Sequence, residues 1–156
     1  MPGRERLKEL GLSLPPAPAA VAAYVPAVTV GQLVFTSGQL PFRDGQVAFT
    51  GRAGDEASLE QVYEATRLAA LNALAAIAAL GVDLDNLKRV VRVVGYIQSD
   101  PQFHDQPKGL NGASELLLEL FGERGRHSRS AVGVSALPLD ALCEVELVVE
   151  LGGPGG

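Results

Sequence analysis

This 156-residue chain has no tryptophan, and cysteine and methionine occur once each, beside two histidines and three tyrosines. A single cysteine, Cys143, excludes an intrachain disulfide and accords with a reducing compartment. With one cysteine and two distant histidines, the sequence offers no recognisable metal-ligand cluster, so no metal is expected. Long apolar runs are missing as well. The longest, residues 68–80, contains Asn72 and is too short to span a bilayer. The opening segment MPGRERLKEL is charged and lacks the apolar core of a signal peptide. These absences lead to the expectation of a cytoplasmic protein with no membrane association. Basic charge is also in short supply: 13 Lys and Arg stand against 18 Asp and Glu, a net charge of −5. A phosphate-binding surface needs the opposite balance, so nucleic acid is an unfavoured partner. Arg124, Arg126 and Arg129 lie close together, and the first two read as solvated loop arginines.

What the chain does contain is ordinary for a folded domain. Apolar residues make up 47% and charged residues 20%, which excludes a disordered composition. The length suits one domain with one core.

Residues 4–10 read as a short surface helix and the Pro/Ala-rich stretch 14–20 as an extended linker. Residues 22–30 and 33–37 are expected to pair as a hairpin about Gly31-Gln32. Asp44-Gly45 is a strong turn signal, with a short strand predicted over 47–50. The clearest helix spans 58–80: Ser58 and Gln61 fit a capping box, Gly81 fits the position after its end, and its apolar stripe is mostly alanine. Residues 87–98, apolar at both parities, read as a central strand covered on both faces. A second helix follows Ser99-Asp100-Pro101, with Leu110, Ala113, Leu117, Leu120 and Phe121 on its apolar face.

The last 25 residues of regular pattern, 127–151, carry the candidate chemistry. An alternating run opens at Arg129, turns through Leu137-Pro138-Leu139-Asp140, and returns with Cys143, Val145, Leu147, Val149 and Leu151 on one parity and Glu144, Glu146, Val148 and Glu150 on the other. We read this as a closing antiparallel hairpin that places Arg129 and Glu144 on one sheet. Such a pair can receive a small acidic ligand, and it can equally be an ion pair. The order β-β-β-α-β-α-β-β describes an α+β domain, a mixed sheet with both helices on one face. Its other face, with valines among carboxylates, calls for a covering subunit.

The segments Ala17-Pro18-Ala19-Ala20 with Tyr24, Val34-Phe35-Thr36-Ser37-Gly38-Gln39-Leu40-Pro41, and Arg129-Ser130 with Val132, Leu137-Pro138 and Glu144 resemble the RidA/YjgF family. The resemblance runs from about Ala17 to Glu150. Residues 109–116 and 127–133 look like a less characterised branch of it. It implies a single domain over 17–151, preceded by an N-terminal extension, 1–16; residues 152–156 themselves read as a disordered tail. It also implies a chorismate-mutase-like fold, a homotrimer, and sites in the clefts between subunits. Characterised members hydrolyse reactive 2-imino acids to 2-keto acids and ammonia, without cofactor. Others have been described as ribonucleases or translation inhibitors, or have no known activity.

Carried over residue by residue, the resemblance makes Arg129 the carboxylate grip and Glu144 the partner of the attacking water. Tyr24, Ser37, Asn111 and Ala131 would line the pocket. Ala131 stands where the archetype has cysteine, Gly133 where it often has glutamate, and His127-Ser128 where it has a small or proline pair. The cysteine contributes mainly backbone groups in the family, so Ala131 leaves the chemistry possible.

Each residue also has a plainer reading. Arg129 and Glu144 can be an interface ion pair, and Glu144 a member of a solvated glutamate face. Tyr24 can be packing, Asn111 a helix cap, Ser37 a turn residue, and His127 a surface-loop histidine. His104 with Asp105 reads as a helix start, and Cys143 as an inert core thiol. Two functions therefore compete: imine hydrolysis, and non-catalytic binding of small carboxylates such as 2-keto acids. A ribonuclease ranks last, for want of a basic stripe with stacking aromatics.

Overall fold

The computed structural model describes residues 3–17 and 23–153. Pro18, Ala19 and Ala20 of the motif, the first residue of the strand expected from 22, and 154–156 of the expected tail lie outside the described residues. The elements run α1 (Gly3–Glu9), β1 (Ala27–Val30), β2 (Leu33–Thr36), β3 (Phe42–Arg43), β4 (Gln46–Val47), α2 (Leu59–Ala78), β5 (Leu87–Gln98), α3 (Gln106–Phe121), β6 (Ser128–Val134) and β7 (Cys143–Leu151). The fold is α+β, as the sequence pattern implied.

Local chemistry sets most boundaries where expected. Ser58 Oγ accepts from the Gln61 amide at 3.2 Å while the Gln61 side chain accepts from the Ser58 amide at 2.9 Å, a reciprocal cap at the start of α2. Asp44 and Gly45 take φ values of 53° and 78°, the left-handed pair that closes a two-residue hairpin. That hairpin joins β3 to β4 as a separate two-stranded sheet. The short strand expected over 47–50 is thus replaced by a ladder centred four residues earlier, and Thr50 keeps only an isolated bridge to Ala141. The strand expected from 22 begins at Ala27. Helix α1 is not only a surface helix: Leu7 is buried, and Gly3 lies under the ring of Phe121 on α3.

The main sheet has the order β1-β2-β7-β5-β6. Its pairs are antiparallel except β5 with β6, which is parallel. The closing hairpin predicted from the sequence is therefore not formed, because β5 lies between β6 and β7. Alternation reveals a strand's two faces but not its neighbour, and the unit β5–α3–β6 is a crossover, which demands parallel strands. Leu139 and Asp140, at φ 58° and 57°, shape the longer connection that carries the chain past β5.

On one face, Cys143, Val145, Leu147 and Val149 of β7 join Val90, Val93 and Ile97 of β5 beneath α2 and α3. The other face is left uncovered by the described residues. Val94 and Tyr96 of β5 are only half-buried there, so the expected two-sided cover of β5 is incomplete within one chain. Val28 and Phe35, which pair across β1 and β2 in line with Val148, are 48% and 39% exposed.

Helix α3 sits unusually close to its neighbours. A Cβ on Gly109 would run into Val62, one on Gly112 into the Tyr63 carbonyl and the Thr66 hydroxyl, and one on Gly95 into Leu110. Thr66 Oγ1 donates to the Gly109 carbonyl at 2.8 Å across this contact. In an exposed helix, Gly→Ala stabilises by about 1 kcal/mol. At position 112 the added methyl meets rigid backbone, so the sign reverses. Gly112→Ala is expected to cost about 3 kcal/mol through overpacking, read as a lower urea midpoint with unchanged slope.

Candidate functional site

Arg129 leaves the sheet on the helix-covered side. It lies opposite Val93, which lies opposite Leu147, and both are buried. Its Nη1 donates to Asn111 Oδ1 at 2.9 Å and to Ser114 Oγ at 3.1 Å, and its Nη2 donates to the Pro107 carbonyl at 3.2 Å. All three acceptors belong to α3. The Nε–H and one Nη2–H find no acceptor among the described residues, so two donors of the guanidinium remain for a carboxylate. Asn111 lies within α3, not at a helix cap, and its carbonyl orients the arginine. Ala131 and Gly133 follow Arg129 on the same parity of β6. A Cβ at Gly133 would come within 2.7 Å of Gln106 Nε2, so glycine there keeps room for that side chain. Beyond it a cavity of about 350 Å³ is lined by Ser99, Phe103, Gln106, Gly133 and Ser135, among others.

Glu144 leaves the opposite face. It is the partner of Tyr96, itself opposite Val132 on β6. Gln39 and Val145 exchange backbone hydrogen bonds of 2.8 and 2.9 Å, which lays Gly38 directly over the glutamate. A Cβ on Gly38 would come within 2.5 Å of Glu144 Oε1, so only glycine leaves the carboxylate its place. Ser37 Oγ donates to the Val25 carbonyl at 2.7 Å, holding this turn to the segment that carries Tyr24. Tyr24 itself is 52% exposed. Burial pushes the Glu144 carboxyl above the usual carboxylate range, and the nearby charge of Glu146 adds to the effect. Tyr96 donates its hydroxyl to Glu146 Oε1 at 3.1 Å. Burial and the adjacent carboxylates push the Tyr96 phenol up, keeping it a donor.

The predicted residues thus fall into two groups. Arg129, Asn111 and Ala131 gather at the β6 edge beside α3, while Glu144, Ser37 and the turn reaching toward Tyr24 gather on the open face. Arg129 and Glu144 are two strands and three residues apart, about 14 Å on ordinary sheet spacings, and point to opposite sides. They are not an ion pair within one chain.

Sequence reasoning passed over Gly38, Tyr96, Glu146 and Ser114. The glycine of the Ser37-Gly38-Gln39 run was visible, but the carboxylate beneath it was not. His127 requires a correction. It is half-buried, with Nδ1 at 2.6 Å from the Gly125 carbonyl and Nε2 at 2.8 Å from Ser114 Oγ, and so is not a free surface-loop residue. Of the two arginines read as solvated, Arg124 is half-buried and donates to the Leu87 carbonyl at 2.6 Å, whereas Arg126 is exposed, in a surface bridge to Glu123 at 3.0 Å. His104 is exposed at the approach to α3. Cys143 is fully buried, and burial pushes its thiol well up. Among the described residues no group of three or more His, Cys, Asp or Glu is placed to hold a metal, and no helix is long and apolar enough to cross a membrane.

Comparison with known proteins agrees with this architecture. Residues 4–151 match the family described as "YjgF/chorismate mutase-like, putative endoribonuclease". Protein TCP17 of Trypanosoma cruzi is 42% identical over 146 residues, covering 93% of this chain and 91% of that one. A Shewanella oneidensis MR-1 protein, also described as an endoribonuclease of this kind, superposes with a TM-score of 0.93 at 39% identity, over 97% of this chain and all of that one (100%). The structure of Escherichia coli TdcF with bound serine superposes with a TM-score of 0.59 at 26% identity, over 86% of this chain and 92% of that one.

The raised Glu144 carboxyl has a measurable consequence. The folded chain holds this proton more tightly than the unfolded chain, so the group favours folding below the ordinary carboxylate range and loses that contribution as pH rises through its folded value. Glu144→Gln is expected to raise the thermal midpoint near neutral pH, with the gain vanishing below about pH 4. Melting curves recorded across that range check it, and a lower midpoint for the variant at neutral pH would contradict the assigned cause.

Proposed function

The chain belongs to the YjgF/chorismate mutase-like family, and on that premise we propose that it binds small 2-imino acids and hydrolyses them to 2-keto acids and ammonia in clefts between the subunits of a homotrimer. The observation that carries the proposal is the separation of Arg129 from Glu144. Each has a prepared environment, but they open on opposite faces of one sheet. A second copy laid against the open face and the β6 edge can supply the missing half of each site. Val28, Phe35 and Val132 stand exposed beside Glu144 and Glu146, an apolar surface suited to such cover. The serine held by TdcF is a small molecule with a carboxylate and an amino group, which supports ligands of this size and charge.

The chemistry then asks little of the protein. The two free donors of Arg129 take the substrate carboxylate and set the plane of the imine. The protonated imine carbon is already electrophilic. Water attacks it while Glu144 accepts a proton, giving a carbinolamine. Glu144 returns the proton to nitrogen and takes the hydroxyl proton as the C–N bond breaks, so the carbonyl of the 2-keto acid forms and ammonia leaves, carrying that last proton away as ammonium. A carboxylate with a raised proton affinity is a better base for this exchange than a solvated one. No metal or cofactor is required. RNA is disfavoured, since Glu144 and Glu146 face the same cleft and the chain carries a net charge of −5.

A second reading is binding of 2-keto acids or amino acids without turnover. It draws on the serine in TdcF, which is a ligand and not an imine. Calorimetric titration with pyruvate, beside an amino-acid-oxidase-coupled assay of imine hydrolysis, separates the two. Binding without acceleration of any imine selects the second.

Four measurements test the shared site. Light scattering at micromolar concentration is expected to give a trimer. Arg129→Lys keeps the charge but loses the planar fork, and is expected to weaken pyruvate binding roughly a hundredfold. Glu144→Gln is expected to bind pyruvate and lose turnover. Co-expressed as mixed trimers, the two variants should restore up to about a quarter of the parent activity, because random assembly pairs an intact arginine with an intact glutamate at that fraction of interfaces. Trimers that mix freely yet recover nothing would sink the intersubunit site.

A further inference from the structure

His127, Ser114 and Arg129 form a hydrogen-bonded chain whose direction is dictated by chemistry. The Gly125 carbonyl can only accept, so at 2.6 Å it places the imidazole proton on Nδ1. Nε2 then carries the lone pair and accepts the Ser114 hydroxyl proton at 2.8 Å. With its proton so directed, Ser114 Oγ presents lone pairs to Arg129 Nη1 at 3.1 Å. The start of the chain is built by Gly125 itself. A Cβ there would run into the Leu117 carbonyl, so the glycine lets the turn after α3 press against the helix and aim its carbonyl at the ring.

We infer that His127 is a positioning residue: through Ser114 it fixes the guanidinium of Arg129 and thereby the donors offered to a substrate carboxylate. The inference deepens the proposed function and rests on it for the identity of the ligand, but the relay itself belongs to the unliganded chain. Neutral histidine is the competent form. A proton on Nε2 would turn that atom into a donor aimed at Ser114 Oγ, displace the serine proton, and set a second cation beside Arg129.

The surrounding charges leave Arg129 as the one that acts on the ring. On α3, Glu115 accepts from Tyr63 and Glu119 from Arg67, and Lys108 bridges Asp105. In the turn before β6, Glu123 bridges Arg126, and Arg124 donates to the Leu87 carbonyl. On β5, Arg92 donates to Ser130. Burial lowers the affinity of His127 for a proton, the hydrogen bond to Gly125 opposes this, and Arg129 lowers it further. The neutral form is therefore favoured to lower pH than in a free histidine, and the relay opens as the solution turns acidic.

Two readouts on the full-length protein test this. The first needs no ligand: nitrogen-15 spectra of the imidazole and guanidinium. The expected result is a Nδ1-protonated His127 in the parent, and a slowly rotating Arg129 guanidinium both in the parent and in His127→Gln, whose amide oxygen can still accept from Ser114. Fast rotation is expected in His127→Leu and Ser114→Ala. The second is pyruvate titration across pH. His127→Leu and Ser114→Ala should each weaken binding about tenfold, while His127→Gln stays near the parent and loses the parent's acid decline. An imidazole protonated on Nε2, or an arginine whose rotation is the same in all four proteins, overturns the relay even if pyruvate binds. A parent that ignores pyruvate but shows the expected arginine dynamics overturns the ligand assignment and leaves the relay standing.

Discussion

The close seating of α3 is the constraint on which the rest of this structure depends. Glycines at 95, 109 and 112 remove the side chains that would hold the helix off β5 and α2. The helix is thereby near enough to β6 for the Arg129 side chain to end among Pro107, Asn111 and Ser114. Lift α3 by the thickness of a methyl group and the arginine loses its anchors. The alanine-rich α2 serves the same geometry, since its small side chains let α3 and the sheet approach from two directions. Packing economy and site geometry are one feature here, not two.

A second constraint is electrostatic. The open face gathers Glu144 and Glu146 near one another under Tyr96 and Gly38, and burial raises the proton affinity of Glu144. Two carboxylates on a half-buried surface are costly unless something uses them. On the other face a cation is held by neutral acceptors, with no carboxylate bonded to it among the described residues. Each half lacks the charge that the other supplies. This is the physical content of the proposed intersubunit site: an acidic pocket and a basic edge, incompletely satisfied in the chain that carries them.

Much of the fold was legible in advance because it is written in short-range chemistry. The reciprocal cap at Ser58 and Gln61, the Asp44-Gly45 turn and the period-two burial of β7 each depend on residues within a few positions of one another. The misreadings share the opposite character. The pairing of β6 with β5 instead of β7 is a choice among partners far apart in sequence, and alternation is silent on it. His127 looked like a loop residue because its partners are a carbonyl two residues earlier and a serine thirteen residues earlier, and nothing in their spacing implies contact. Gly38 was visible as part of a motif, but its function as the lid over a carboxylate 106 positions later was not.

The sequence by itself therefore determined the element types, the α+β class, the identity of the charged residues and the family to which the chain belongs. Those follow from local periodicity, turn chemistry and a linear motif. Only the tertiary structure decided that Arg129 and Glu144 stand on opposite faces, that α3 and not the glutamate anchors the arginine, and that a histidine set aside as peripheral is bonded into that anchor. The physical reason is the sheet itself. One residue of register sends a side chain to the other face, one exchange of neighbouring strands gives it a different partner, and both outcomes are set by long-range packing that no stretch of the chain encodes alone.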